Sequence, residues 1–200
     1  ASQEQLNSLK QSIKLLENVV AKKELSSDET KGLLKVVSEY AQALDLLDQY
    51  DHQRLQIPST QKEKLQKLAY KEAIEQIHLW RAKQKAGKLF GNEKDQSFKS
   101  SLETIYQTYN GVDLYPSIIE KAANLLYFVV KNHSFSDGNK RIAAGLFVFF
   151  LDKKRKLYNS DGSKIIADNA LVALTIMIAE SKTEEKEMMT KLILNLIQGN

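Results

Sequence analysis

Apolar residues recur at three- and four-residue steps along most of this chain, and few residues interrupt them. Among its 200 residues there are two prolines, Pro58 and Pro116, and eight glycines. The spacing places apolar side chains on one face of an α-helix, whereas proline and glycine are the residues that usually end one. A chain patterned in this way is predicted to be all-α.

Pro58 separates two predicted domains. Before it, apolar stripes run from Leu6 to Val20 and from Leu33 to Leu47, so we predict a helical hairpin extension over residues 1–56. Residues 57–200 are predicted to form a second helical domain. Its helices are expected at about 60–86, 98–106, 117–129, 139–151, 168–181 and 183–198.

A short stretch before Pro116 departs from the helical pattern. Asn110-Gly111 lies between two β-prone runs, and both residues tolerate positive φ, so the pair favours a tight hairpin turn. An irregular loop between helices is the alternative. The predicted hairpin comprises Gln107, Thr108, Tyr109, Asn110, Gly111, Val112, Asp113 and Leu114.

Composition excludes several classes of site. The chain has no cysteine, which rules out disulfides, thiolate metal sites and cysteine nucleophiles. The net charge is +4, but basic residues are mixed with acidic ones, which favours solvated helix faces over a nucleic-acid footprint. The longest apolar run, from Ile142 to Leu151, is too short to span a bilayer. We therefore expect a cytoplasmic protein without a membrane partner.

The nine residues from His133 to Arg141, His-Ser-Phe-Ser-Asp-Gly-Asn-Lys-Arg, combine groups suited to phosphate chemistry. If Gly138-Asn139 begins a helix, its unpartnered N–H groups and dipole form an anion site. Lys140 and Arg141 oppose that dipole, which makes sense if they face a bound phosphate.

Other residues of the same stretch supply a metal ligand and a base. The Asp137 carboxylate suits Mg²⁺ that bridges phosphate oxygens. His133 can accept a proton near neutral pH and so activate a hydroxyl nucleophile. Phe135 is interpreted as an anchor that pins the loop to the core, and Asn139 as a residue that fixes the loop by side-chain hydrogen bonds. Each residue alone is more often structural; the combination predicts phosphoryl-type transfer.

The string closely resembles the signature of the Fic/Doc superfamily. Fic members typically read H-P-F-x-x-G-N-G-R, and Doc-like (death-on-curing) members read H-x-F-x-D-(A or G)-N-K-R, the branch to which this stretch is more similar. The similarity extends over residues 91–198. It implies a Fic-like helical bundle with a small β-hairpin flap, here preceded by the helical extension.

The resemblance also implies a role for each matching position. His133 would be the general base, and Asp137 would hold Mg²⁺ on the phosphates of ATP. Gly138 and Asn139 would form the anion nest, with Arg141 on phosphate. The hairpin at 107–114 would be the flap that docks a target segment by strand addition.

Three positions depart from the pattern of AMP-transferring Fic proteins. Ser134 replaces the common proline, Lys140 replaces glycine, and Ala144 stands where a second arginine is expected. In Doc-like proteins the lysine accompanies an altered nucleotide orientation, in which the terminal phosphate is transferred instead of AMP. The sequence leaves these two reactions open.

The predicted function is Mg²⁺–ATP-dependent modification of a protein hydroxyl, either by AMP transfer (a protein adenylyltransferase) or by phosphate transfer (a Doc-like protein kinase). The alternative is a regulatory or interaction protein that keeps the fold with weak catalysis, within a longer DNA-binding or toxin–antitoxin protein. The expected partners are a target protein of unknown identity and an antitoxin, another inhibitor or a second copy of the chain. Nucleic acid would be bound only through a further domain.

Overall fold

The computed structural model describes residues 67–198, together with residues 18, 19, 27, 29, 30, 32 and 33. These residues fall into two compact units, one reaching Lys164 and the other containing the N-terminal described residues and everything from Ile165 onward. The helical extension predicted over 1–56, and its boundary with 57–200, lie outside the described residues apart from those seven.

The unit that reaches Lys164 contains four α-helices and one hairpin among its described residues. Its elements are α1 (Tyr70–Lys83), α2 (Ser97–Thr104), β1 (Thr108–Tyr109), β2 (Val112–Asp113), α3 (Ile118–Lys131) and α4 (Asn139–Lys153). The other unit contains α5 (Asp168–Glu180), a short 3-10 helix (Thr183–Glu185) and α6 (Lys186–Gln198). The prediction of an all-α fold with a small hairpin is confirmed.

Helix α1 begins later than its apolar pattern predicts. Residues 67–69 are not helical, and Ala69 has the extended dihedrals φ −74° and ψ 144°. The buried Leu68 donates its backbone N–H to the Tyr106 hydroxyl at 2.8 Å. This long-range bond replaces an intrahelical one, so the prediction of a continuous helix through 67–69 is wrong.

Helices α3 and α4 form the core of this unit. Residues 121–127 of α3 are all buried, as are Ile142, Leu146, Phe147 and Phe150 of α4, so the nearly apolar helix predicted after the loop is central. Helix α1 packs closely on α4 at Gly145. The absence of a side chain there permits this approach, since a Cβ atom at Gly145 would lie 2.8 Å from the Trp80 ring. The ion pair between Lys153 and Glu72, at 2.6 Å, joins the same two helices.

Helix α3 starts at a complete capping box. The Ser117 hydroxyl accepts the backbone N–H of Glu120 at 3.1 Å, and the Glu120 carboxylate accepts the backbone N–H of Ser117 at 2.8 Å. Two N-terminal amide groups are thereby satisfied, which sharply defines where the helix begins. The predicted helix start beside Pro116 is confirmed.

The predicted hairpin is also present. Thr108 pairs with Asp113 and Tyr109 with Val112, and the turn residues Asn110 and Gly111 have φ 49° and 78°. Positive φ at both positions is the geometry of a type I′ turn, for which Asn-Gly is the preferred pair. A buried lysine fastens the hairpin to α3: the Lys121 side chain is 8% exposed, and its Nζ donates to Asp113 Oδ2 at 2.8 Å and to the carbonyl of Tyr115.

The second unit supplies two apolar helices. In α5 the buried residues are Ala170, Leu171, Ala173, Leu174, Thr175, Ile176, Met177 and Ile178. The helices predicted near 168–181 and 183–198 are both found, the second one opening with the 3-10 turn. None of the described helices combines the length and the apolar character that a membrane crossing requires.

Candidate active site

His133 stands in the loop that joins α3 to α4, directly after the residue that caps α3. It is exposed, and its φ of 47° lies in the left-handed region. Few residues other than glycine adopt that region, although histidine, asparagine and aspartate do so more often than the rest. The strained backbone turns the chain out of α3 at this residue, and such strain persists only where neighbouring contacts hold it.

Two side-chain hydrogen bonds to α2 hold the backbone on either side of His133. Asn132 Nδ2 donates to Ser101 Oγ at 2.8 Å, and Ser97 Oγ donates to Ser134 Oγ, also at 2.8 Å. Ser134 is fully buried, so the residue that replaces the common proline is a hydrogen-bonded part of the loop. The loop is therefore fixed to α2 immediately before and after the histidine.

A second segment, residues 89–94, runs beside the loop. Its backbone forms isolated bridges that pair Phe90 with Asp137 and Glu93 with Phe135. Three backbone bonds join the two segments: Gly91 N–H to the Asp137 carbonyl (3.2 Å), Ser136 N–H to the Asn92 carbonyl (2.8 Å) and Lys94 N–H to the Ser134 carbonyl (2.9 Å). Sequence reasoning missed this segment. Its signal was the Gly-Asn pair at 91–92, since Gly91 has a φ of 72°.

Helix α1 fixes segment 89–94 through two of its side chains. The Tyr70 hydroxyl donates to Glu93 Oε2 at 2.5 Å, and Arg81 Nη1 donates to Asn92 Oδ1 at 3.2 Å. The hydrogen bond to Glu93, with burial and the Glu93 charge, raises the pKa of Tyr70 to about 12. Tyr70 therefore remains a neutral donor at physiological pH, and the segment has a defined position against the loop.

The middle of the loop is pinned by Phe135 and by the side chain of Asn139. Phe135 is fully buried, with its ring centroid 5.0 Å from that of Phe98 in α2. Asn139 Oδ1 accepts the Phe135 N–H at 2.8 Å, and Asn139 Nδ2 donates to the Phe135 carbonyl at 2.7 Å. The Asn139 amide is thus engaged within the loop, and any contact with an anion would come from its backbone N–H.

Gly138 is the N-cap of α4, with φ 84° and no side chain to cap the helix. A Cβ atom here would lie 2.4 Å from Cδ2 of Phe90, so that ring fills the space on the Cβ side. From the sequence, Gly138 was predicted to form part of an anion nest. The structure adds two other requirements, the left-handed backbone and the packing of Phe90.

Asp137 and Arg141 form an exposed ion pair at the start of α4. Arg141 Nη2 lies 3.3 Å from Asp137 Oδ2, and the guanidinium sits 4.9 Å from the centre of the Phe90 ring. Both side chains are at least half exposed, and Lys140 between them is exposed as well. The loop therefore presents one carboxylate and two cations to solvent at a helix N-terminus, where an anion is favoured.

The residues from α1 to α4 match a known family. Residues 69–151 match the model of the Fic/DOC family. The match supports the resemblance drawn from the loop, and it suggests Fic-type group transfer, meaning AMPylation or a related reaction. No curated protein and no solved structure matches the chain.

The Asp137 carboxylate is chemically suited to bind Mg²⁺ together with the phosphates of a nucleotide. The described residues contain no group of three or more His, Asp or Glu side chains placed to hold a metal. Mg²⁺ does not require one, because it commonly binds through one or two carboxylates plus substrate phosphates and water. Asp137 would serve as that carboxylate, and the role assigned to it remains a prediction.

The base of the predicted docking hairpin is held at the start of α3, and His133 follows the other end of that helix. Lys121, in the first turn of α3, binds the hairpin residue Asp113, and at 1.5 Å per residue it lies about 15 Å along the axis from Lys131. Thr108 of the hairpin lines a cavity with residues from the end of α4. The docking role stays a prediction, and the segment whose backbone pairs with the loop is 89–94.

Replacing Asn139 by alanine should destabilise the loop between α3 and α4. Both bonds to Phe135 would be lost, leaving that residue's backbone amide and carbonyl without their partner, so we expect a loss of about 1–3 kcal/mol in the free energy of unfolding. Urea denaturation measures it. The matched control is Asn159→Ala, which removes an exposed hydrogen bond to Ser163 and should change stability by less than about 0.5 kcal/mol. Equal effects of the two substitutions would contradict the clamp.

Proposed function

We propose that this Fic/DOC domain transfers a phosphorus-containing group from Mg²⁺–ATP to a hydroxyl group of a target protein. The observation that carries the proposal is the position of His133. Its side chain is exposed, both neighbouring residues are hydrogen-bonded to α2, and the same loop ends at the N-terminus of α4. A base and an anion site in the same short loop are the two requirements for attack of a hydroxyl on phosphorus.

The reaction balances with the groups of the loop. His133 accepts the proton of the target hydroxyl as its oxygen forms a bond to phosphorus. Attack at the α-phosphorus breaks the bond to the β-phosphate and releases pyrophosphate, leaving AMP on the target. Attack at the γ-phosphorus releases ADP and leaves phosphate on the target. The N-terminal amides of α4 stabilise the negative charge of the phosphoryl oxygens in either case.

Arg141 and Asp137 would change partners when the nucleotide binds. Because their ion pair is exposed, opening it costs only about 0–1 kcal/mol. The guanidinium could then bind phosphate, while the carboxylate would hold Mg²⁺, which supplies charge neutralisation when bound. The existing pair keeps both side chains near the start of α4 in the meantime.

Lys140 is the residue that favours phosphate transfer over AMP transfer. It is exposed in the first turn of α4, and one turn later Ala144 offers no second guanidinium to the nucleotide. A flexible ammonium group at this site adds charge where a glycine would leave the backbone accessible, so the nucleotide should lie differently. Of the two reactions, we therefore propose phosphate transfer.

The rival function is a regulatory protein that keeps the fold with little catalysis. Ala144 favours it, because one cation fewer is available to the triphosphate. The exposed His133 disfavours it, since a residue in strained left-handed geometry has no evident packing purpose there. The two functions differ in whether a labelled group of ATP is transferred to protein.

ATP labelled separately on its α- and γ-phosphates tests the proposal. The full chain is incubated with Mg²⁺, each labelled ATP and a mixed protein extract as the source of hydroxyl groups. We expect label in protein from the γ position and none from the α position. Label from the α position alone would establish AMP transfer and reject the assignment based on Lys140. Absence of protein label from both positions would contradict the proposed function and favour the rival.

A matched substitution gives the same experiment a second outcome. Lys140→Gly restores the residue of the AMP-transferring pattern at an exposed position, so the fold should survive, and transfer from the γ-phosphate should fall. A γ-transfer rate unchanged by Lys140→Gly would show that the lysine does not orient the nucleotide.

A further inference from the structure

Arg81, in the last turn of α1, reaches the segment that pairs with the loop. Its Nη1 donates to Asn92 Oδ1 at 3.2 Å. The carbonyl of Asn92 in turn accepts the backbone N–H of Ser136 at 2.8 Å, and Ser136 directly precedes Asp137 in the loop. A single residue of segment 89–94 therefore stands between the guanidinium of Arg81 and the backbone of the loop.

A second guanidinium contacts the same segment. That of Arg141 lies 4.9 Å from the centre of the Phe90 ring. Phe90 and Asn92 are neighbours but one, so their Cα atoms are at most about 7 Å apart. Phe90 also packs at Gly138, the N-cap of α4. One cation of α1 and one of α4 are thus held at the short stretch that borders the start of α4.

The packing of α1 on α4 sets the level of the α1 arginine along α4. Glu72 pairs with Lys153, and Trp80 packs at Gly145. The two contacts are eight residues apart on both helices, so the helices run antiparallel and in step. The arginine follows Trp80 and is therefore about level with Ala144. At the level where α4 lacks a second guanidinium, α1 supplies one.

No carboxylate contacts the charge of Arg81. Within the part of the chain that the structure describes, the guanidinium forms no ion pair, and its hydrogen bond goes to a neutral amide oxygen. The adjoining carboxylate of the segment, Glu93, accepts the Tyr70 hydroxyl at 2.5 Å, and Asp137 of the loop is paired with Arg141. Arginine stays protonated at every physiological pH. A cation therefore remains beside the loop, although the charge of Glu93 lies nearby.

Two other uses of Arg81 would need no ligand. A cation in the last turn of a helix is favoured by the helix dipole, and the bond to Asn92 could simply hold segment 89–94 in place. The dipole requires only a charge, which Lys83 of the same turn also supplies, and a neutral donor could bond the Asn92 amide. Neither use requires a guanidinium, whereas planar, bidentate recognition of phosphate does.

We propose that Arg81 is a second phosphate-binding arginine of the loop site, which exchanges the Asn92 amide for a phosphate of Mg²⁺–ATP. The inference rests on the part of the proposed function that places the nucleotide phosphates at the N-terminus of α4. Phosphate is the better acceptor, because it is charged and can take two N–H bonds of the guanidinium at once. Arg81 and Arg141 would then hold the triphosphate from two helices, and the cation missing at Ala144 would come from α1.

Calorimetric titration of the full chain with Mg²⁺–ATP measures this role directly. Arg81→Gln removes the charge from a half-exposed position near a helix end, so the fold should survive, and the affinity should fall at least about tenfold. Asn92→Ala removes the same hydrogen bond but keeps the guanidinium, so it should lower the affinity far less. Lys83→Gln removes a cation from the same turn and should leave the affinity nearly unchanged. Thermal unfolding checks that each variant folds, and Arg81→Lys, with an intermediate affinity expected, replaces a glutamine variant that does not.

The proposal is overturned if Arg81→Gln leaves the affinity unchanged. An equal loss in Asn92→Ala would reduce Arg81 to holding the segment, and an equal loss in Lys83→Gln would show only a general effect of charge; either result also overturns it. Absence of ATP binding to the unchanged chain would reject both the nucleotide site and this inference. ATP binding that depends on Arg81, without transfer of label to protein, would contradict the proposed function and leave the inference standing.

Discussion

Replacing His133 by asparagine should lower the rate of label transfer from ATP to protein by about 10²–10⁴-fold, the usual contribution of a general base. Asparagine cannot accept the hydroxyl proton near neutral pH, yet it tolerates the left-handed backbone that His133 adopts at φ 47°. The thermal unfolding temperature and the affinity for ATP should stay close to those of the unchanged chain.

Alanine at the same position would be a poorer test. A left-handed conformation costs an alanine about 1–2 kcal/mol, so His133→Ala would combine loss of the base with a disturbed loop. The asparagine variant separates the two effects, because His and Asn are both among the residues that adopt this region more readily.

The control for the base assignment is Ser97→Ala. It removes the hydrogen bond to Ser134 that holds the chain after His133 while leaving the imidazole in place. A positioning role predicts a smaller fall in rate than in His133→Asn, and an unchanged pH dependence of the remaining activity. Transfer that persists undiminished in His133→Asn would exclude His133 as the base and leave the loop as a nucleotide-binding element only.

Local features of the fold were predictable because they are decided by residues close together in the sequence. The type I′ turn follows from Asn110-Gly111 alone, and the start of α3 follows from Ser117 with Glu120 three residues later. The burial of α4 follows from its nearly continuous apolar run. In each case, the residues that indicate the local structure in the sequence are the residues that form it.

Long-range pairing was not predictable in the same way. The bridges from segment 89–94 to the loop join residues more than 40 positions apart, and apart from Gly91 the segment gives no residue-type signal of this backbone pairing. The hydroxyl groups of Ser97 and Ser101 that hold the loop look in sequence like ordinary helix-surface residues. The buried Lys121 is likewise unremarkable until Asp113 and the Tyr115 carbonyl are seen around it.

The position of the hairpin could not be predicted from the resemblance. Its formation was predicted from two residues, but its distance from the loop depends on where Lys121 and the end of α4 hold its base. The segment next to His133 is instead fixed by Tyr70 and Arg81 of α1.

Replacing Gly138 by alanine should be among the most destabilising single substitutions in the described residues. The backbone at φ 84° costs an alanine about 1–2 kcal/mol. Its Cβ would also approach Phe90 to 2.4 Å, and overpacking of this kind costs about 1–3 kcal/mol more. Since a domain is stabilised by only about 5–15 kcal/mol, urea denaturation should show a large fall.

Gly111→Ala isolates the backbone part of that cost. Gly111 has a similar φ of 78°, but nothing lies within 4 Å of the position that its Cβ would occupy. We expect this control to lose only about 1–2 kcal/mol. The excess in Gly138→Ala then measures the clash with the ring of Phe90.

A double-mutant cycle with Phe90→Leu separates packing from nucleotide binding at Gly138. If the ring is the obstacle, Phe90→Leu should be destabilising alone but should recover part of the loss in the Gly138→Ala background, because leucine can yield to the new methyl group. Recovery of stability without recovery of ATP affinity would mean that the glycine also serves the bound phosphate, as the sequence argument held. Additive losses would instead show that Phe90 does not determine the need for glycine, and that the left-handed backbone alone does.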